Sequence, residues 1–274
     1  MDGPERTPGG SVFDRAAPTY GTVGPDFFSY FGRRLVDRMA ITKNGRVLDV
    51  ACGTGAALLS AAEAVGAGLA VGAGLAVGAD LSEPMLRLAR GAAGARLGLR
   101  AVVACMDAQQ LAVRTESFDA VVSSFALGSL PDPLSALAEC RRVSRPRGLL
   151  GLVVSDRWWW EGDDRWGWHS DLLDSLGVRI QVDPFPSADI SSALALTGWE
   201  LRDLRAESFP LVFSGADEWW AWAWSHGYRQ ILESMGADQI QRYRQEAFGH
   251  LPQNGQPVLG RLEATLALAV RPHP

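Results

Sequence analysis

The sequence predicts an α/β fold built on a doubly wound, mostly parallel sheet, and three observations predict it. Arg46-Val47-Leu48-Asp49-Val50 is a short apolar run that leads through Ala51-Cys52 into the glycine turn Gly53-Thr54-Gly55 and then a helical stretch rich in alanine and leucine. That is the strand, turn and helix that open a βαβ unit. Strand and helix patterns then alternate as far as Val154, as crossover connections of a parallel sheet require. All ten tryptophans fall between Trp158 and Trp224, so the second half of the chain has a different task from the first.

Taken in order, residues 1–10 carry two prolines and a Gly-Gly pair and are expected to be disordered. Aromatic and aliphatic residues then recur from Val12 to Met39, a spacing that predicts one or two helices ahead of the first strand. Further strands are expected at Leu75 to Ala79, Leu99 to Ala104, Ala120 to Ser123 and Leu149 to Val154, with helices at Glu83 to Gly91 and Leu134 to Val143. The hexapeptide Gly66 to Val71 recurs at once as Gly72 to Val77. A single copy is a local duplication that lengthens the loop before the second strand, not a solenoid. Ser214-Gly215-Ala216-Asp217 is a candidate capping box for a helix with Trp219, Trp222 and His226 on one face. Trp220 and Trp224 give that helix a second aromatic face, more apolar surface than one core contact requires, which predicts a cap walling a large apolar pocket. A last apolar strand runs from Ala264 to Val270. The expected organisation is N-terminal helices over 1–40, a cofactor-binding core over 41–157, a substrate cap with part of the sheet over 158–258, and a final core strand over 259–274.

Composition narrows the function. The chain has 274 residues, 47% hydrophobic and 21% charged, enough to bury a sizeable core. A formal net charge of −5 argues against a nucleic-acid partner. Lys43 is the sole lysine and is followed by asparagine, which excludes a P-loop and leaves pyridoxal phosphate a poor anchor. Cys52, Cys105 and Cys140 form neither a CxxC pair nor an even set, so no disulfide framework, zinc site or other metal site is expected. With no apolar leader near Asp2 and Glu5, and an uncharged stretch from Ala64 to Ala79 too short and glycine-rich to span a bilayer, a soluble cytoplasmic protein is expected. The composition leaves a homo-oligomer open.

A lone Gly-x-Gly is a weak signal, so its neighbours decide what it binds. Leu58 stands where a nicotinamide fingerprint wants its third small residue, and Asp49 sits at the end of the first strand just before the turn. A carboxylate there repels a pyrophosphate and attracts a cofactor carrying an ammonium and a sulfonium.

Five blocks now stand in order: Val47 to Gly55, Gly78 to Leu86, Cys105 to Ala108, Phe118 to Val122 and Arg145 to Gly148. Together they resemble the class I S-adenosylmethionine-dependent methyltransferases, of the ubiquinone/menaquinone-biosynthesis type and their small-molecule natural-product relatives. Phe13 to Tyr20 is similar to the start of the lid helix in that group. The resemblance implies a Rossmann-like, seven-stranded sheet with an N-terminal helical lid and a C-terminal helical cap. Ala51 replaces the family's usual first glycine. Asp80 follows Asp49 by 31 residues, an interval that the repeated hexapeptide accounts for.

The resemblance further implies that Ala51, Gly53 and Gly55 face the methionine portion of the cofactor, with Asp49 near its ammonium. Asp80 would accept from both ribose hydroxyls; Leu81 and Met106 would sandwich adenine, with Met85 nearby, while Asp107 and the Ala108 N–H would meet its edge. Ser123, Ser124 and Phe125, after the fourth strand, would face the methyl group and the acceptor.

For an oxygen acceptor a base is wanted, and His169 and His226 are the histidines inside tryptophan-rich segments. Each fits either that role or a hydrogen bond within a helix. Tyr20 on the lid fits closure over the sulfonium or plain packing. Trp158, Trp168 and Trp222 are candidate walls for a bulky hydrophobic small molecule. The function expected is therefore methyl transfer in specialised metabolism, by C-methylation of a prenylated or terpenoid alkene or by O-methylation. The alternative is a cyclase or binding protein that keeps the cofactor without transferring methyl.

Overall fold

The computed structural model describes residues 11–67, 73–95, 101–155, 160, 163–179 and 187–273. Its strands are β1 (Arg46–Val50), β2 (Leu75–Asp80), β3 (Ala101–Cys105), β4 (Phe118–Ser124), β5 (Ser144–Val154), β6 (Glu200–Phe213) and β7 (Val258–Val270). They form one seven-stranded sheet in the order β3-β2-β1-β4-β5-β7-β6. The first five are parallel, and β7 runs antiparallel to β5. Sequential order reverses between β1 and β4, the point at which doubly wound sheets open a crevice beyond the carboxyl ends of their strands.

Helices α1 (Val12–Ala16) and α2 (Phe27–Met39) precede the sheet, and α3 (Ala56–Val65), α4 (Glu83–Ala95) and α5 (Pro133–Val143) make the crossovers. The remaining helices are α6 (Gly167–Ser175), α7 (Ser187–Leu196), α8 (Ala216–Ala223), α9 (Arg229–Glu233) and α10 (Ala237–His250). Among the described residues no helix is long and apolar enough to cross a membrane.

The strands predicted from apolar runs appear with altered bounds: β5 and β7 begin five and six residues earlier than expected, and Leu99 and Arg100 of the predicted third strand lie outside the described residues. Strand β6 is the one that the pattern did not show. It lies at the sheet edge and carries Arg202, Asp203, Arg205 and Glu207, charges that mask its period and discourage edge-to-edge pairing. Two of them anchor α2: Arg34 pairs with Glu207 at 2.8 Å, and Arg38 pairs with Asp203.

The chain divides into two compact units. One comprises residues 27–157, 184–207 and 263–274 and contains the parallel strands, whose interior is built from Leu48, Val121, Leu137, Leu150 and Leu152, each at most 1% exposed. Its strands are apolar on both faces because helices cover both. The other comprises residues 1–26, 158–183 and 208–262. Its core is aromatic, with Trp160, Trp166, Phe213, Trp219, Trp222, Tyr228 and Tyr243 all buried.

One local expectation is corrected in this second unit. No side chain of Ser214 or Gly215 caps α8; instead the Glu218 carboxylate accepts the Ser214 N–H at 2.6 Å. A longer carboxylate one residue further along reaches back where Asp217, which is exposed, does not. The helix also stops at Ala223, so Trp224 and His226 lie beyond it.

Candidate active site

The site is built first from the end of β1. Val47, Leu48 and Val50 drive this strand into the core, and the chain must then turn sharply to start α3. It does so through left-handed residues, Ala51 at φ 55°, Gly53 at 53° and Gly55 at 95°, with Gly55 as the N-cap of α3. Gly55 supplies no side chain to cap α3, and the Leu58 N–H of its first turn donates instead to the Asp49 carboxylate.

Asp80, at the end of β2, braces this turn from the neighbouring strand. Its Oδ2 accepts the Gly53 N–H and its Oδ1 accepts the Ser82 N–H, both at 2.8 Å. A carboxylate oxygen can accept from more than one donor. Cys52 N–H adds a 3.0 Å bond to the Ala79 carbonyl. The glycine turn and the second acidic strand end are thus one hydrogen-bonded assembly.

Asp49 lies beneath it, 1% exposed. Its Oδ2 has no hydrogen-bond partner among the described residues. Burial, reinforced by the charge of Asp80, pushes its carboxyl well above the ordinary carboxylate range, with a backbone bond from Leu58 pulling the other way.

The rim beyond β2 and β3 carries Leu81, 56% exposed, together with half-buried Met106 and Asp107. Asp107 Oδ1 accepts the Gln109 N–H at 2.8 Å. Ala108 is buried beside it, and Met85 lies within the buried face of α4. At the end of β4, Ser123 donates to the Val50 carbonyl at 2.9 Å and ties β4 to β1, while Ser124 is half-buried. Phe125 follows in a left-handed conformation, φ 57°, its N–H donating to the Val153 carbonyl. Its ring meets Phe27, Phe28 and Phe31 of α2 edge-on at 5.5, 5.8 and 5.4 Å. Ala51 and Phe125 place two strained non-glycine backbones at the ends of adjacent strands, the kind of outlier that gathers at functional sites.

Known proteins resemble this chain in sequence and in fold. A methyltransferase-domain family matches residues 48–152. Nocamycin O-methyltransferase of Saccharothrix syringae is 35% identical over 245 residues, spanning 83% of this chain and 85% of the relative. The chain belongs to the S-adenosylmethionine-dependent methyltransferases. Aklanonic acid methyltransferase DauC of a Streptomyces species is 41% identical over 143 residues, 52% of this chain and 62% of that relative. In structure, the [4+2]-cyclase SpnF superposes with a TM-score of 0.57 at 22% identity, covering 90% of this chain and 81% of that one. That likeness concerns the fold alone.

The donor set suits the methyltransferase cofactor. An unpartnered buried carboxylate oxygen at the turn fits a cationic group, the two oxygens of Asp80 fit a diol, and the exposed Leu81 fits a flat base.

The other predicted residues lie in the aromatic unit of this methyltransferase. His169 is wholly buried. Its Nε2 lies 2.7 Å from the Tyr243 hydroxyl and 3.1 Å from that of Tyr228, and the two hydroxyls are 2.7 Å apart. Burial lowers its pKa to about 3, so the ring is neutral. The imidazole and the two hydroxyls thus form one buried hydrogen-bonded triangle, with the two 2.7 Å edges meeting at Tyr243. His226 donates through Nδ1 to the Trp222 carbonyl at 2.7 Å, and burial lowers its pKa to about 4. Tyr228 and Tyr243 were not singled out in the sequence; no local pattern pairs residues 59 and 74 positions from His169.

Trp222 is buried against Phe213 and His226. Trp168 is half-buried and stacks on His250 at 4.6 Å. Trp220 and Trp224 are covered by Arg244 and Arg229, at 5.8 and 5.4 Å from the ring centroids, and Trp220 also packs on Tyr243 and Phe248. Trp220 on α8 and Trp224 just beyond it are therefore accounted for by packing within their own unit. Tyr20 is half-buried, edge-on to Phe13 at 6.5 Å. Trp158 lies outside the described residues.

Proposed function

We propose that this methyltransferase transfers methyl to an acidic oxygen, such as a carboxylate, enol or phenol, of a bulky apolar small molecule in specialised metabolism. The observation that carries this reading is the Phe125 ring, which follows Ser124 at the carboxyl end of β4 and is backed by three phenylalanines of α2. Such a wall favours an apolar acceptor body. Kinship with an O-methyltransferase over most of its length favours oxygen.

An acceptor oxygen that ionises unaided fits the placement of His169, His226 and His273. His273 is the sole histidine of the unit that holds the glycine turn, and it follows β7, whose last residue pairs with Leu149 far from the carboxyl end of β5. His169 and His226 are neutral and already hydrogen-bonded. In-line displacement at a sulfonium then needs positioning above all.

In this reading Asp80 holds the ribose hydroxyls, and Leu81 and Met106 flank the adenine, whose edge meets Asp107 and the Ala108 N–H. Asp49, Ala51, Gly53 and Gly55 take the methionine end, and Ser123 and Ser124 border the methyl group. When bound, the cofactor supplies the electrophilic methyl.

The test is a screen of apolar acids, phenols and prenylated alkenes with methyl-labelled cofactor, followed by NMR of the product. An O-methyl signal is expected, with Phe125→Ala lowering turnover at least tenfold while cofactor affinity stays within twofold. A methyl on carbon would transfer the reading to alkene C-methylation. Conversion of an acceptor without label would point to a cyclase.

A further inference from the structure

Asp49 combines features that do not sit together in a resting carboxylate. It is enclosed at the carboxyl end of β1, and one oxygen has no hydrogen-bond donor among the described residues. Among the described residues no cation acts on it. Leu48 and Val50 flank it on its own strand, and its register partners are Gly78 on β2 and Val122 on β4. From the turn comes the buried Cys52 thiol, from α3 the Leu58 N–H, and from β2 a second carboxylate, Asp80. Asp80 in turn is held in place by two backbone donors. A buried anion with an orphaned oxygen, facing another anion, is costly.

We propose that Asp49 is a proton-linked ligand of the cofactor: the free enzyme holds it as a neutral carboxylic acid, and the α-ammonium of S-adenosylmethionine binds its carboxylate, so that each binding event releases one proton to solvent. The raised carboxyl of the free protein agrees with this arrangement. The inference rests on the reading that the glycine turn takes the methionine end.

The sign follows from linkage. Below the pKa of Asp49 in the free enzyme, the proton must leave before the ammonium can pair, so affinity rises with pH by about tenfold per unit. Above that pKa the carboxylate is already present and affinity is flat.

Calorimetry of cofactor binding without acceptor tests it, in cacodylate and in Bis-Tris between roughly pH 5.5 and 7, below the range in which α-amino groups lose their proton. The difference in apparent enthalpy between the buffers counts protons. A release approaching one proton is expected at the acidic end, falling as pH rises. S-adenosylhomocysteine, which keeps the ammonium and lacks the sulfonium, should release the same number. 5′-Methylthioadenosine, which has no ammonium, should release none.

Asp49→Asn should bind S-adenosylmethionine at least tenfold more weakly with no proton release, and should bind 5′-methylthioadenosine within twofold of the unaltered enzyme. No release by the unaltered enzyme anywhere in this range overturns the proposal, even should the variant not fold. Weakened binding by Asp49→Asn without release from the unaltered enzyme would mean that Asp49 meets the ammonium already ionised. Undiminished affinity of Asp49→Asn would instead remove the methionine end from the turn.

Discussion

The Gly53 N–H donates to Asp80 Oδ2 across 2.8 Å, and this one bond makes the glycine turn and the proposed ribose ligand a single piece. An acid at the end of β2 would otherwise be a solvated side chain with many rotamers. Here both oxygens are fixed before any ligand arrives, since Oδ1 is held by the Ser82 N–H. Preorganisation of this kind removes ordering cost from binding.

Asp80→Ala should therefore weaken S-adenosylmethionine binding by about 2–3 kcal/mol, the scale of a lost charged hydrogen-bonding partner. Asp80→Asn should fall between, because its amide offers one acceptor oxygen for two backbone donors and repels one of them with its NH2 group. Calorimetric affinities of the two variants check the order. Equal affinity in the alanine variant and the unaltered enzyme would take Asp80 out of the ribose site.

The repeated hexapeptide gives a second prediction. The first copy begins at Gly66, the left-handed cap of α3 at φ 65°, and the second copy ends as the first three residues of β2, Leu75 to Val77. Gly74 approaches Val65 so closely that a Cβ would lie 2.3 Å from its carbonyl oxygen. Deleting Gly72 to Val77 brings Gly68-Leu69-Ala70-Val71 into the same sequence context, with a glycine again ahead of the strand. The shortened α3–β2 link has an ordinary length for an α/β unit, and loop length changes stability only slowly. The deletion should yield a folded protein with cofactor affinity within about threefold, or ~0.7 kcal/mol. Loss of folding or of binding would show that the second copy is structurally required.

How far the sequence discloses this molecule depends on the range of the interactions concerned. The β1 run, its glycine turn and the acids at 49 and 80 are legible because strand, turn and helix are local and each has its own residue signature. Strand β6 is not, since its charges answer to Arg34 and Arg38 on α2, more than 160 residues earlier in the chain. The tryptophans stand out as a cluster, yet their partners do not. Arg229 and Arg244 cover Trp224 and Trp220, and two tyrosines close on His169, through contacts that leave no periodicity. The cap of α8 fails for a smaller reason: the pattern of a short acid at the third position is matched by Asp217, while the longer Glu218 makes the bond.

The buried histidines yield the last prediction, a dependence of stability on acid. Both are lowered by burial, His169 to about 3 and His226 to about 4, from an ordinary value of 6.5. The unfolded chain therefore binds more protons than the folded one below pH 6.5. The stability that neutral histidines contribute is fully present above that value and is lost as pH falls toward their folded-state values. Each can contribute a slope of up to about 1.4 kcal/mol per pH unit in that window. Asp49 acts in the opposite direction, its raised carboxyl favouring the fold at low pH and losing that contribution as pH rises, so a raw profile mixes the two. A difference profile separates them. His169→Phe should be less stable than the unaltered enzyme at neutral pH by about 1–3 kcal/mol, because it leaves the buried Tyr228 and Tyr243 hydroxyls without their imidazole partner. That deficit should shrink between pH 6 and pH 4 as the unaltered enzyme pays for its buried imidazole. Urea unfolding at several pH values measures it, and a deficit that stays constant down to pH 4 would mean that His169 does not remain neutral in the folded state.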